Sequence, residues 1–314
     1  MRAWAGSTRP ISRGRTVSAK PTAPKRPLGV GIAILAGAAT MFASNHVGAR
    51  LAFDHGASVG TGVIVRATGT SLVLLVLMMA QGVRIALPRS LIVPSVLTGV
   101  CATVQSYCLY SAVARIPVAL ALLTFQTAPM LFLLFSWAMG HERPKASAFA
   151  AMLVALGGLV LALNIRIENF GARWAEIGAG VSWALGGAVA FMLMLYANAH
   201  ALKEVDGRLR TFVMTAVTAV IVVVAGGATD AFALPRDSQG WLGLALLTMF
   251  YCGAMCTLFI SLPRLVPAST VALNFEPIAL LGLGWIVLGQ AVAPLQIAGA
   301  FLTVGAIAWL GLRK

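Results

Sequence analysis

One carboxylate stands alone in a long apolar part of this sequence. Glu276 lies directly before Pro277 in the stretch ALNFEPIALLGLGW, and it is the only charged residue between Arg264 and Arg313. A carboxylate among apolar residues needs a wet cavity, a cation or a proton to offset its desolvation. The chemistry it offers is to bind a substrate ammonium group or to take up a proton. The alternative is a structural residue that bonds its own kinked backbone or a neighbouring helix.

Two prolines each predict a broken helix. Pro277 removes a backbone hydrogen bond and frees a carbonyl one turn earlier, around Leu273, and Asn274 adds an amide close by. The equivalent stretch FQTAP, which ends at Pro129, supplies the neutral Gln126 instead of a carboxylate. Broken helices are tolerated in lipid only against protein or a water-filled cavity, so both breaks are expected to face the interior.

Three further polar residues lie inside apolar runs. Asn45 and His46 fall in the outer half of the first run, where His46 would relay protons or simply be hydrogen-bonded. Arg66 lies in the first half of the second run, where it would hold a substrate carboxylate or extend to the membrane surface. The sequence leaves both choices open.

Aromatic and amide side chains are candidate walls of a substrate cavity, because Tyr and Trp combine a large apolar face with one polar group. A belt at the membrane interface is the alternative for Tyr and Trp. The cavity candidates are Gln105, Tyr107, Tyr110, Trp183, Tyr251 and Trp285, of which Tyr107, Trp183 and Tyr251 are the ones expected to contact substrate.

Composition indicates which solvent surrounds these residues. Of 314 residues, 59% are hydrophobic and 10% are charged, and the mean hydropathy is +0.90. A soluble domain carries roughly 25% charged residues, so this chain has too little charge to cover a surface in water. Lipid is therefore its main solvent, and the sequence predicts an all-α integral membrane protein.

The net charge of +14 does not indicate a nucleic-acid partner, because many basic residues gather in one tail. Seven of the 23 basic residues fall in residues 1–27, which contain no acid. We interpret this segment as a disordered cytoplasmic tail beside an anionic membrane surface. An organellar transit peptide has a similar composition, and a start codon further downstream would also explain the segment.

Apolar runs of about 20 residues, the length that crosses a bilayer, predict ten transmembrane helices. The third and fourth runs are almost contiguous, as are the eighth and ninth, and each pair predicts a tight antiparallel hairpin. The predicted spans are 28–49, 58–80, 91–114, 117–139, 146–164, 174–196, 210–229, 240–262, 267–288 and 293–312.

Basic residues predict the orientation, since they are enriched on the cytoplasmic side. With the N-terminus inside, 17 of them fall in cytoplasmic segments and five in outer loops, so both termini are predicted to be cytoplasmic. Besides the seven in the tail, the cytoplasmic set is Arg84, Arg89, Arg143, Lys145, Lys203, Arg208, Arg210, Arg264, Arg313 and Lys314. The outer set is Arg50, Arg115, Arg166, Arg173 and Arg236.

The two halves of the chain resemble each other. Pro129 and Pro277 are 148 residues apart, and the pattern P-x21-A-x5-G of the first half matches P-x21-G-x5-G in the second. With five spans each, the second half must enter the membrane inverted relative to the first. Two inverted five-helix repeats, here residues 28–164 and 174–312, are typical of secondary carriers with a central site.

Ten spans in two halves, the segment SWALG at 182–186 and the stretch NFEP resemble the EamA family of the drug/metabolite transporter superfamily. The resemblance covers nearly all of residues 28–312. It implies a carrier in the bacterial inner membrane, commonly an exporter of amino acids or related metabolites, with the third, sixth and eighth helices lining the cavity. The family often has Glu-Pro in both halves, whereas the first half here has Ala128-Pro129.

The predicted function is a secondary carrier that moves a small-molecule substrate by alternating access, with lipid as solvent and protons as a candidate coupling ion. Efflux of drugs or cationic amphiphiles is the second interpretation, because one buried carboxylate suits that cargo equally well.

A membrane-embedded enzyme would need clustered His, Asp or Glu, and the four histidines are scattered. A channel or scaffold would show flux without saturation. No cofactor or metal ion is predicted, because the four cysteines lack a recognised ligand spacing.

Overall fold

The computed structural model describes residues 27–83, 86–141, 143–162, 170–229, 232–261, 264–265, 267–290 and 293–312. Every regular element within these ranges is helical. The predicted cytoplasmic tail, apart from its last residue, lies outside the described residues. So do four of the basic residues used for the predicted orientation, Arg84, Arg166, Arg313 and Lys314.

Six α-helices occupy the first half of the chain. They are α1 (Leu28–Asp54), α2 (Val59–Ala80), α3 (Arg89–Val113), α4 (Val118–Phe125), α5 (Ala128–Ala138) and α6 (Ala146–Ala162). Pro27, Pro88 and Pro117 each stand immediately before a helix. Proline lacks the backbone N–H donor that a helix interior requires, but that donor is not needed at the residue before a helix. Ser58 caps α2 by accepting a hydrogen bond from the backbone N–H of Thr61.

The second half has five α-helices and one 3₁₀ helix. They are α7 (Phe170–His200), α8 (Gly207–Thr229), α9 (Ser238–Ser261), the 3₁₀ helix Pro267–Phe275, α10 (Glu276–Leu288) and α11 (Pro294–Leu312). α10 ends at Gly289, whose φ of 62° lies in the left-handed region that glycine adopts without steric cost.

Seven helical segments of the described residues are long and apolar enough to cross a bilayer. They are 28–54, 59–80, 89–113, 118–138, 177–200, 207–226 and 238–261. Shorter apolar helices cover 146–162, 272–288 and 294–306. Length and composition therefore make this chain a multi-pass membrane protein.

The fourth and ninth predicted spans are each divided, where the sequence predicts one kinked helix. α4 stops at Phe125 and α5 starts at Ala128, so Pro129 is the second residue of a new helix. Pro277 is likewise the second residue of α10, and the segment before it is 3₁₀. At that position the missing N–H would have no helical partner in any case. The interruption before Pro277 therefore covers the whole 3₁₀ helix Pro267–Phe275, and not only one freed carbonyl at Leu273.

Glycines allow two pairs of helices to touch through their backbones. A Cβ added at Gly243 of α9 would lie 2.8 Å from the carbonyl oxygen of Gly48 in α1. A Cβ added at Gly299 of α11 would lie 2.5 Å from the carbonyl oxygen of Gly158 in α6. Such close crossings hold helices together in lipid by van der Waals contact.

The remaining helices pack around these two crossings. α1 also contacts the 3₁₀ helix and α10, α3 contacts α7 and α8, and α2 contacts α8 and α9. α4 packs between α7 and α10. The largest fully buried side chain is Tyr110 of α3, which places a hydroxyl group inside the bundle.

Candidate functional site

Seven polar or aromatic side chains meet inside the bundle, and we call them the polar cluster. α1, α2 and α3 contribute five of them, and α9 and α10 contribute one each. The members are Asn45, His46, Arg66, Ser106, Tyr110, Tyr251 and Glu276. Five of the nine polar and aromatic site residues predicted from the sequence are thereby brought together: Asn45, His46, Arg66, Tyr251 and Glu276.

Glu276 faces an imidazole from the other half of the chain. Its Oε1 lies 3.4 Å from Nε2 of His46, and the side chains are 23% and 7% exposed. Glu276 is also the first residue of α10, where the partial positive charge of the helix N-terminus stabilises a carboxylate. The other ring nitrogen of His46, Nδ1, is buried and has no hydrogen-bond partner among the described residues. The contact between His46 and Glu276 therefore joins α1 to α10 across the two halves of the chain.

Tyr110 connects this pair to the rest of the polar cluster. Its hydroxyl lies 2.7 Å from the side-chain amide of Asn45, a contact that either orientation of the amide preserves. Its ring meets the His46 ring edge-on at 5.9 Å between centroids. Because Tyr110 is fully buried, these contacts fix the position of His46 relative to α3.

Arg66 is enclosed between two tyrosines. Its Cζ lies 4.1 Å from the ring centroid of Tyr251 and 4.9 Å from that of Tyr110. Nη2 donates to Oγ of Ser106 at 2.6 Å, whereas the buried Nε has no partner in the described part of the chain. Only 6% of Arg66 is exposed, so it does not extend to the membrane surface. Of the two alternatives for Arg66, the snorkelling one is wrong, because two tyrosine rings and a serine hold the guanidinium in the interior.

A small cavity lies beside the polar cluster, and a large cavity lies nearer one end of the bundle. The small cavity has a volume of about 90 Å³ and is lined by Arg66, Ser106 and Tyr251 together with residues of α7 and α8. The large cavity, about 540 Å³, lies between the end of α2, the start of α8 and the end of α9. Met255 lines both cavities, so the large one lies next to the small one that Arg66 lines.

The opposite end of the bundle is linked by contacts between the two halves. Nδ1 of His55 lies 2.6 Å from Oδ2 of Asp237, and the backbone N–H of Ser58 donates to the carbonyl oxygen of Ala233. A third cavity of about 430 Å³ lies there, and none of its lining residues lines the other two. Between it and the polar cluster lies the backbone contact of Gly48 with Gly243.

The other four predicted site residues lie elsewhere. Tyr107 packs edge-on against Trp183 at 6.1 Å between ring centroids, and Arg115 lies over the Trp183 ring. Gln126 is the half-buried residue that follows α4, and Asn274 lies in the 3₁₀ helix.

Two further sequence expectations concern the cavity walls. Gln105 lines the small cavity, as expected for a wall residue. Trp285 is 66% exposed and lines none of the three cavities. Sequence reasoning missed Ser106, and its only signal was a hydroxyl residue one helical turn before Tyr110.

Helices of membrane length surround a buried polar cluster, so the class of protein is a multi-pass membrane protein with a polar interior. A solved crystal structure is similar over 90% of this chain and 96% of its own, with a TM-score of 0.64 and 19% identity, and it shares the fold. No curated protein matches the chain.

Residues 29–164 match the EamA-like transporter family, which belongs to the drug/metabolite transporter superfamily. The family resemblance seen in the sequence is thus confirmed over residues 29–164. The family is one of transporters, so a small-molecule substrate and a lipid bilayer are the partners that it implies.

Proposed function

We propose that the protein is a secondary carrier that exports a small metabolite, an amino acid or a related compound, across the bacterial inner membrane by alternating access. The observation that carries this proposal is the buried polar cluster, because α1–α3 and α9–α10 belong to different halves of the chain. Carriers with repeated halves bind substrate at the interface between the repeats, near the middle of the membrane.

The spacing of the helices supports two repeats, residues 28–164 and 174–312. α2 and α8 begin 148 residues apart, and so do α5 and α10, and α6 and α11. Pro129 and Pro277 show the same separation. A constant separation along much of the chain is what a duplicated unit produces.

Helix packing supports a two-fold relation between the repeats. With α1 corresponding to α7 and α3 to α9, the contact between α1 and α9 has a counterpart in the contact between α7 and α3. Likewise α3 packs on α8 as α9 packs on α2. The contacts of α2 with α8 and of α6 with α11 each join two counterparts, as elements beside a two-fold axis do.

Ten spans remain our proposal for the topology. α6 has 17 residues and α11 has 19, while the 3₁₀ helix and α10 together cover residues 267–288. These lengths fall within the range of about 17–25 residues that crosses a bilayer. With the divided α4 and α5 counted as one span, this adds three spans to the seven helices of membrane length.

The large cavity supports access of substrate from the cytoplasmic side. It is lined by Gln81, Arg208 and Arg264, which belong to segments predicted to be cytoplasmic, and it shares Met255 with the small cavity at Arg66. A substrate can therefore load from that side while contacts between the halves hold the other end.

The pair of His46 and Glu276 is our candidate for proton coupling. The two residues belong to different halves, so protonation of Glu276 removes an attraction that holds the halves together at 3.4 Å. A change of charge that biases a two-state arrangement is the general basis of such coupling.

Efflux of cationic amphiphiles is the alternative, and the partly exposed carboxylate of Glu276 is its support. Arg66 opposes it, because a buried guanidinium in the same polar cluster repels a cationic cargo.

Counterflow in proteoliposomes tests the carrier proposal. A mixed panel of amino acids, other metabolites and amphiphilic cations is read by mass spectrometry, with and without an imposed pH gradient. We expect saturable exchange in the wild type that responds to pH, and loss of this response in Glu276→Gln. Glu204→Gln, the same change at an exposed site between α7 and α8, is the matched control. Exchange that keeps its pH response in Glu276→Gln would exclude Glu276 as the coupling group, and no exchange of any compound would overturn the carrier.

A further inference from the structure

We infer that Arg66 holds the carboxylate of the substrate, and that the site accepts small monocarboxylates with an apolar tail whether or not they carry an α-amino group. The inference rests on the proposed function, since it names the substrate class of the same site. Its basis is a buried guanidinium that has an open donor, borders a cavity and lacks an anionic partner.

The charge of Arg66 is not compensated within the described residues. The four acids that form ion pairs there, Glu276, Asp54, Asp237 and Asp206, pair with other residues. Taking an unpaired cation out of water carries a penalty of several kcal/mol. The two tyrosine rings offset part of it through cation–π contact. An anionic ligand in the adjacent cavity would supply the missing partner.

The geometry of Arg66 suits a carboxylate in particular. Arginine binds carboxylates through two parallel N–H donors. Ser106 occupies one Nη2 donor, Nε is buried and has no partner among the described residues, and Arg66 is one of the residues that line the cavity. The two rings hold the guanidinium plane in place, so little rotamer entropy is left to lose on binding.

The rest of the small cavity suits an apolar tail. Phe191, Met194, Met214 and Met255 form an apolar wall, and Thr215 and Thr218 add hydroxyl groups. No acidic side chain lines this cavity among the residues that the structure describes. An ammonium group on the ligand would thus find hydroxyl and amide oxygens but no counter-charge. The site has the chemistry to select the carboxylate and to tolerate the amine.

The size of the small cavity limits the tail. Its volume of about 90 Å³ is smaller than the roughly 150 Å³ of an apolar cavity that accepts benzene. Short branched acids of four or five carbons therefore suit the site in this arrangement.

The large cavity has the charge expected of an entrance for anions. Arg208, Arg210 and Arg264 line it with only one acid, Asp206. Asp206 pairs with Arg208 at 3.0 Å, which leaves Arg210 and Arg264 as a net positive charge along the path. Such a lining raises the local concentration of anionic ligands.

Three compounds with the same branched tail separate the two charges of an amino acid. They are 3-methylbutanoate, which has only the carboxylate, L-valine, which has both groups, and 2-methylpropylamine, which has only the amine. Binding of radiolabelled 3-methylbutanoate is measured on the purified full chain in nanodiscs, with the other two as competitors. We expect saturable binding that L-valine displaces and the amine does not. Displacement by the amine at the same concentration as by L-valine, or no saturable binding of the acid, would overturn the inference.

Variants of Arg66 add a second test. Hydrogen bonds to a charged group contribute about 1.5–3 kcal/mol, so Arg66→Lys should weaken binding of 3-methylbutanoate roughly 10- to 100-fold. Arg66→Met should abolish it. Arg89→Lys, at the exposed first residue of α3, is the control and should bind as the wild type does. Wild-type affinity in Arg66→Met would contradict the assignment, and the competitor series on the wild type stands even where a variant fails to fold.

The outcomes separate this inference from the carrier proposal. Binding of the acid without counterflow of any compound would support Arg66 as the residue that binds the carboxylate and would exclude the carrier function. Counterflow that persists in Arg66→Met, or that the amine inhibits as strongly as the acid, would support the carrier function and exclude Arg66 as the residue that binds the carboxylate.

Discussion

α5 and α10 both begin one residue before a proline, and the residues that precede them have nearly the same backbone conformation. Thr127 has φ −67° and ψ −18°, and Phe275 has φ −72° and ψ −17°. The first residue of the helix differs completely: it is Ala128 in α5 and Glu276 in α10. Helix breaks with the same backbone conformation are thus followed by an apolar residue in one half of the chain and by a carboxylate in the other.

The surroundings of the two breaks explain why only one carries a charge. Ala128 is 1% exposed and belongs to the main hydrophobic core. Glu276 is 23% exposed and has His46 within 3.4 Å. A helix break is therefore built by proline and local packing, whereas a charge at the break also requires a partner from a distant helix.

The largest expected effect comes from placing the charge at the wrong break. Ala128→Glu buries a carboxylate without a partner, so we expect the free energy of unfolding to fall by about 3 kcal/mol or more. Chemical denaturation of the purified protein in detergent measures this. Ala128→Gln, with a neutral side chain of the same size, separates the charge from overpacking. Equal stability of the two variants would mean that the first break accepts a charge after all.

A double-mutant cycle at the second break has an intermediate expected effect. We expect Glu276→Gln and His46→Gln to be coupled by about 1–2 kcal/mol in the free energy of unfolding at pH 6, because each removes the partner of the other. The same cycle between His46→Gln and Ala128→Ser should give a coupling near zero. Strictly additive effects at Glu276 and His46 would show that their contact contributes nothing.

The smallest expected effect concerns the start of α8, where Asp206 stands 148 residues after Ser58, the cap of α2. The hydrogen bond from Arg208 lowers the pKa of Asp206. An acid with a lowered pKa contributes stability above its unfolded pKa of about 3.9, and loses it as pH falls through the folded-state value.

Asp206→Ser keeps a capping side chain, so we expect a change of about 0.5 kcal/mol or less in the free energy of unfolding at pH 7. The loss of stability in acid should become shallower than in the wild type. Denaturation curves between pH 3 and pH 7 measure both quantities. An unchanged acid limb would show that Asp206 titrates alike in the folded and unfolded states.

Parts of this fold follow from the sequence because they depend on local physics. Long apolar runs predicted α1, α2 and α3 to within a few residues, since about 20 apolar residues suffice to specify a membrane helix. Pro129 and Pro277 likewise indicated the two interruptions. The 3₁₀ helix was not predicted, because the loss of one donor at Pro277 does not specify how the preceding turns bond.

The contacts of the polar cluster could not be read from the sequence. Glu276 and His46 are 230 residues apart, and only the packing of α10 on α1 brings them together. The position of Arg66 in its span was clear, but the choice between the interior and the membrane surface depended on Tyr110 and Tyr251 from two other helices. Tyr107 and Tyr110 are both on α3, and only the helix orientation separates the buried tyrosine from the exposed one.

The presence of one carboxylate rather than two at the helix breaks has an energetic consequence for the proposed carrier. With Glu276 as the coupling group, each turnover moves one proton, and a proton crossing one pH unit releases about 1.4 kcal/mol. That free energy sustains about a tenfold concentration ratio of a neutral solute, whereas a second coupled carboxylate at the Ala128 position would sustain about a hundredfold ratio. In the proposed carrier, the alanine would therefore limit the concentration ratio that can be built, and it would lower the number of protons used for each molecule moved.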